Sequence, residues 1–172
     1  MDIKYKVCEN YPNEGVRFID FYQTYVDKES RGFIVQKLLE EICHKNFDIS
    51  KIVVVVPEAR GFVLGGFLAD RLDSPLVMLR KPHKIPPELI GASYSYDTEY
   101  SKDSLEMEDV DLTGKICIFV DDVLATGGTM SAGKHLCEVF GAEQFYGLVI
   151  YDVGICNHDD IAYYSLYKGD EL

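Results

Sequence analysis

Hydrophobic and polar positions follow two rhythms along this chain. Over 28–45, Val35, Leu38, Leu39 and Ile42 recur at helical spacing, with charges at Glu29, Arg31, Glu40 and Glu41 beside them. An apolar stripe on a charged cylinder predicts a surface helix. Next comes Ile52-Val53-Val54-Val55-Val56, closed by Pro57. An unbroken β-branched run of this length reads as a strand buried on both faces, as in parallel sheets covered by helices. The same alternation continues with a helix over 61–72, strands over 76–79 and 116–120, a helix over 129–140, and strands over 148–151 and 162–167. Strand and helix taking turns predict an α/β fold with a central, mostly parallel sheet flanked by helices.

The stretch 80–108 breaks this rhythm. It carries Pro82, Pro86, Pro87, Tyr94, Tyr96 and Tyr100 among Ser, Asp and Glu, with weak alternation at 93–96 and 105–107. It is expected to form a long excursion bearing a β-hairpin, and long loops in compact domains usually serve function. No repeat, low-complexity tract or linker divides the chain. Its 172 residues, 47% hydrophobic and 27% charged, suit a single domain over 1–172 with a full core.

Charge narrows the partners. Seventeen Lys and Arg stand against 29 Asp and Glu, a net charge of −12. Neither nucleic acid nor an anionic membrane is expected to find a basic footprint here. One local basic cluster, Arg80, Lys81 and Lys84, stands out against that background. No apolar run approaches the roughly 20 residues of a membrane span, and the opening residues lack a signal-peptide core. The five cysteines are scattered without CxxC spacing, which reads as reduced thiols and a cytoplasmic setting. Cys117 and Cys137 read as core packing, and 156–160 as a surface turn.

The chemistry concentrates in 119–129, Phe-Val-Asp-Asp-Val-Leu-Ala-Thr-Gly-Gly-Thr. The segment begins where a buried strand is expected to end and finishes where a helix starts, the place where open α/β sheets bind ligands. Gly127 and Gly128 let backbone N–H groups approach an anion, and the helix start adds free amides and its positive dipole end. Ala125 lies in the same turn, and Thr126 and Thr129 add hydroxyl donors. Asp121 and Asp122 suit the vicinal hydroxyls of a sugar, with a divalent cation nearby. A phosphate cradle beside two carboxylates describes a pocket for a ribose 5-phosphate. It is neither a Walker loop nor a GxGxxG turn.

This string resembles the 5-phosphoribosyl 1-pyrophosphate (PRPP) motif of the type I phosphoribosyltransferases. Further strings are similar to the adenine branch of that family. They are Tyr11-Pro12 with Gly15-Val16-Arg17-Phe18, then Glu58-Ala59-Arg60-Gly61-Phe62, then Arg80-Lys81-Pro82-His83-Lys84-Ile85-Pro86, and Glu99-Tyr100 with Leu105-Glu106. The resemblance implies the type I fold, a loop near 94–106 that closes over the site, and purine salvage: adenine plus PRPP giving AMP and pyrophosphate. It assigns 58–61 to the pyrophosphate, with a non-proline cis peptide common in such loops. Arg60, Arg80, Lys81 and Lys84 join Asp121, Asp122 and 125–129 as PRPP ligands, and Mg²⁺ accompanies PRPP. Cations are needed where charge grows on the leaving group. Arg80 is similar to a residue that reaches the neighbouring subunit's PRPP, which implies a homodimer.

For the base, the resemblance implies stacking between Phe18 and Val153 and main-chain readout beside Phe18, at Arg17 and Ile19. Here the chain departs from the family's usual Phe-Arg-Asp, having Phe18-Ile19-Asp20. Glu99 is the candidate catalytic carboxylate alongside Arg60, managing a proton of the base, with Tyr100 beside it in the lid. Two rivals stand at this point: the same chemistry on hypoxanthine, guanine or xanthine, and a non-catalytic PRPP-sensing regulator.

Overall fold

The computed structural model describes residues 3–11, 13–97, 102–155 and 160–172. Five strands form one parallel sheet: β3 (Ile52–Pro57), β4 (Leu76–Leu79), β7 (Ile116–Leu124), β8 (Gln144–Asp152) and β9 (Tyr163–Lys168), in the order β4-β3-β7-β8-β9. The helices are α2 (Lys28–His44), α3 (Arg60–Leu72) and α4 (Gly128–Val139). The expected α/β class and its alternation are therefore present.

Both faces of the sheet are covered, which accounts for the unbroken apolar runs. Val54, Val56, Ile118 and Val120 join Ile34, Leu38, Leu64 and Leu68 in the core beneath α2 and α3. Val53, Val55, Cys117 and Phe119 join Met130, Leu136, Leu105 and Met107 on the opposite side, beneath α4 and the excursion. Successive strand residues point to opposite faces, so a strand covered twice is apolar at every position.

Helix α2 starts at an N-cap, where Asp27 accepts from the Ser30 N–H at 2.9 Å. The Asp27 carboxyl is held down to about 2 by its hydrogen bond to the Lys4 ammonium and then by Ser30. Helix α3 lies unusually close to the sheet. A Cβ on Gly61 would come within 2.6 Å of Pro57 Cδ and 2.8 Å of the Val120 carbonyl oxygen. One on Gly65 would meet Val56 Cγ1 at 2.0 Å.

Three features go beyond the sequence expectation. The excursion holds a longer hairpin than its alternation suggested, β5 (Ile90–Asp97) against β6 (Lys102–Glu108), antiparallel. Near the N-terminus, β1 (Lys6–Glu9) and β2 (Arg17–Asp20) form a second two-stranded sheet, followed by the short helix α1 (Tyr22–Val26). Strand β7 also runs to Leu124, so Asp121 and Asp122 belong to a strand and not to a loop.

Candidate active site

Because β7 continues through the acidic pair, alternation separates the two carboxylates. Asp122 is fully buried, and its Oδ2 lies 3.2 Å from Nε of Arg60, the first residue of α3. Asp121 is half-buried and lines a cavity of about 210 Å³ together with Arg60 and residues 123–129. Burial and then the neighbouring Asp122 carboxylate push Asp121 well above the ordinary carboxylate range. Burial pushes Asp122 up as well, opposed by the Arg60 charge.

The turn after β7 is made by Gly127, at φ +80°, a left-handed conformation that glycine adopts without a Cβ penalty. It caps α4 with backbone alone, since no side chain bonds to the first turn. Unsatisfied N–H groups and the positive dipole end therefore sit at the wall of the cavity, beside the Thr126 and Thr129 hydroxyls. A phosphate is the natural occupant of such a wall.

The segment after β3 turns through a cis peptide between Glu58 and Ala59, as the resemblance led one to expect. Glu58 reaches back to the basic segment, accepting from Arg80 Nε at 3.1 Å and from the Lys81 N–H at 2.9 Å. The Lys81 N–H first, and then the Arg80 guanidinium, outweigh burial and hold the Glu58 carboxyl below its usual range. The Lys81 ammonium pairs with Asp103 of β6 and donates to the Tyr96 hydroxyl of β5 at 3.2 Å. Burial works against that ammonium, but Asp103 and Tyr96 outweigh it and raise its pKa.

Arg60 is the joint between two halves. Besides lining the cavity, its guanidinium carbon lies 5.4 Å from the ring centre of Phe18, which Tyr11 meets edge-on at 5.2 Å. Phe18 is half-buried on β2, Arg17 is exposed, and Ile19 turns its side chain into the core. Ile19 can thus face a ligand only through its main chain. Val153 follows β8 and donates its N–H to the Leu124 carbonyl at 2.9 Å, at the same carboxyl edge of the sheet.

The structure gathers Arg60, Asp121, Ala125, Thr126, Gly127, Gly128 and Thr129 around the cavity. Arg80, Lys81, Phe18 and Val153 stand outside it, and Lys84 is exposed and lines a separate hollow with His83 and Glu106. Glu99, Tyr100, Pro12 and 156–159 lie outside the described residues. Sequence reasoning missed Tyr96 and Asp103, which the hairpin brings to Lys81. It also missed Tyr25, whose buried hydroxyl has no hydrogen-bond partner and whose pKa is pushed up by burial and then by Asp122. A half-buried tyrosine inside a five-residue helix carries no spacing signal that would have marked it.

A glycine-turned cradle at the carboxyl edge of a parallel sheet, with an acidic strand end and an arginine beside it, defines a phosphoribosyl transferase domain, and the family model of that description matches residues 22–169. An adenine phosphoribosyltransferase of Alkaliphilus metalliredigens is 36% identical over 162 residues, covering 94% of this chain and 92% of the relative. This chain belongs to the adenine phosphoribosyltransferase family and is an enzyme of that class. Among solved structures, the adenine phosphoribosyltransferase of Thermoanaerobacter pseudethanolicus matches with a TM-score of 0.86 at 32% identity, covering 95% of each chain. The Saccharomyces cerevisiae enzyme, complexed with D-2,5-dideoxy-2,5-imino-altritol 1,6-bisphosphate and adenine, matches with a TM-score of 0.79 at 27% identity, covering 94% of this chain and 93% of that one.

Proposed function

We infer that the protein transfers the phosphoribosyl group of PRPP to adenine, giving AMP and pyrophosphate. The observation that carries this reading is the cavity formed by residues 123–129 with Arg60 and Asp121, in a chain of this family. The N9 nitrogen of adenine bonds to the anomeric carbon as the bond to the pyrophosphate oxygen breaks, and the base gives up a proton. The amides and hydroxyls of 126–129 hold the 5-phosphate, while Asp121 accepts from the ribose. Arg60, with Lys81 and Lys84, draws the pyrophosphate and stabilises the charge that grows on it. Phe18 and Val153 sandwich the base. The main chain of Arg17 and Ile19 reads its edge from β2, which pairs with no strand but β1 among the described residues. Glu99 takes the proton and Tyr100 covers the site, as the resemblance implies.

Mg²⁺ fits this site as a companion of PRPP. Among the described residues no cluster of three or more His, Cys, Asp or Glu gathers to hold a metal alone. Magnesium is commonly bound by one or two carboxylates plus substrate phosphates and water. Asp121, which faces the cavity, and Asp122 behind it are the carboxylates at hand. When bound, the ion neutralises charge on the pyrophosphate.

A homodimer completes the reading. Val63 and Phe67 of α3 and Leu76 and Met78 of the edge strand β4 are exposed apolar residues on adjacent elements, and a second copy would cover them. Arg80 would then serve the partner's PRPP. No helix among the described residues is long and apolar enough to cross a membrane, and Cys8, Cys43, Cys117 and Cys137 are free thiols, which suits a reducing cytoplasm. The test is nucleotide formation from PRPP and Mg²⁺ with adenine, hypoxanthine, guanine and xanthine in parallel. AMP from adenine is expected; a nucleotide formed only from a 6-oxopurine would overturn the base assignment, and none from any purine would overturn the reaction.

A further inference from the structure

Three polar groups from three segments meet at one phenol. The Tyr96 hydroxyl of β5 accepts from Lys81 Nζ at 3.2 Å and from Thr129 Oγ1 at 3.3 Å, and donates to Asp103 Oδ2 at 3.4 Å. A phenolic oxygen has one proton to give and two lone pairs to share, so every capacity is used. Tyr96 is 8% exposed, which keeps water from competing for these bonds. The ring itself belongs to the core beneath α4, with Leu105 and Met107.

The partners matter more than the count. Thr129 lies in the first turn of α4 and lines the phosphate cavity. Lys81 is a cation of the basic segment and does not itself line that cavity. Nothing in the local chain fixes the distance between them, because they stand 48 positions apart in sequence with three strands between them. Tyr96 places them two hydrogen bonds apart.

Resting on the reading of the site as a PRPP pocket, we propose that Tyr96 is a positioning residue: its hydroxyl sets Lys81 against the phosphate-binding turn through Thr129. In the free enzyme Asp103 balances the Lys81 charge. When pyrophosphate arrives, Lys81 exchanges Asp103 for the anion while Tyr96 keeps it in register with Thr129. The residue touches no reacting atom and acts through these two neighbours.

Tyr96→Phe removes the hydroxyl and leaves the ring that fills the core. The KM for PRPP is expected to rise about tenfold, the scale of one hydrogen bond to a charged group, with kcat changed by less than about twofold. Calorimetric titration with PRPP and Mg²⁺, without base, should show the same loss. Combining Tyr96→Phe with Thr129→Val should cost less than the two single losses together, because both remove the same bond. Tyr94→Phe is the control. It lies on the same strand as Tyr96, its ring centre packs 4.2 Å from that of His135 in α4, and its hydroxyl loss should leave PRPP affinity as it was. Unchanged PRPP affinity in Tyr96→Phe, a fall in kcat alone, or full additivity with Thr129→Val would each overturn the proposal. Early melting of Tyr96→Phe with normal PRPP affinity would reduce Tyr96 to a structural residue and overturn it too. The titration needs no purine, so a parent protein that binds PRPP but ignores adenine fails the base assignment and leaves this test standing.

Discussion

One methyl group at Gly61 tests how closely helix and sheet must approach for the site to form. In Gly61→Ala the new Cβ would stand 2.6 Å from Pro57 Cδ and 2.8 Å from the Val120 carbonyl oxygen. Carbon contacts settle near ~3.5–4.0 Å, so the start of α3 must withdraw by about 1 Å. The proline ring and the strand carbonyl cannot rotate aside. Overpacking of this kind costs about 1–3 kcal/mol, and alanine's better helix propensity returns up to ~1 kcal/mol. The net loss is about 0–2 kcal/mol, a drop of several degrees at most in melting temperature. Function should suffer more. Arg60 precedes Gly61 and sits 3.2 Å from Asp122, so the withdrawal breaks its register with the cavity. A misplacement of about 1 Å can cost ~100-fold in rate. Gly66→Ala on the same helix is the comparison, since a Cβ there meets nothing within 4 Å and should stabilise by about 0.5–1 kcal/mol. Thermal melts and kcat/KM for PRPP decide the matter. Parent-like kcat/KM in Gly61→Ala, or equal destabilisation by Gly66→Ala, would refute the argument.

Three further outcomes follow from the geometry. Gly127→Ala forces a side chain into a left-handed backbone at φ +80°, so melting should fall by roughly the 1–2 kcal/mol that conformation costs and PRPP binding should weaken with it; parent-like values in both would remove the case for that turn. Asp122 keeps its proton more firmly folded than unfolded, so it stabilises the fold below about pH 4 and that contribution is lost as pH rises through its elevated pKa. Asp122→Asn should therefore gain stability relative to the parent between pH 4 and 8, and a relative loss over that range contradicts the burial argument. Phe18→Ala should lose about 1–3 kcal/mol of base stacking with PRPP affinity kept, whereas Ile19→Arg puts a charge into the core and should lower the melting temperature; adenine titration and melting curves separate the two.

The sheet was legible because burial on both faces writes itself into the sequence as runs such as Ile52–Pro57, and the helices because α2 keeps one apolar stripe. The glycine turn before α4 was legible because glycine and threonine types are dictated locally. The extent of β7 was not. Asp121 and Asp122 look like the end of a strand, yet β7 pairs with β8 out to Leu124, and Arg60, from another element, lies against the buried Asp122 carboxyl. The β1–β2 hairpin was equally hidden, since all four residues of β1 are exposed and leave no alternation to read. Tyr96 gave no signal at all, because its partners are assembled by the hairpin register and not by spacing along the chain.

The separate β1–β2 sheet divides the enzyme into parts that need not open together. A two-stranded sheet has little stability of its own. This one is pinned by Ile3, Ile19 and Phe21 in the core, by Lys4, whose carbonyl accepts from the Thr24 hydroxyl at 2.6 Å, and by the contact of Phe18 with Arg60. The five-stranded sheet that carries the phosphate turn is covered on both faces and must unfold as a whole. The hairpin can fray at a fraction of that free energy, so its amides are placed to exchange with solvent well before those of β3 and β7. On the proposed assignment of the site, recognition of the sugar phosphate is built into the most persistent part of the molecule, and recognition of the base into the part that breathes.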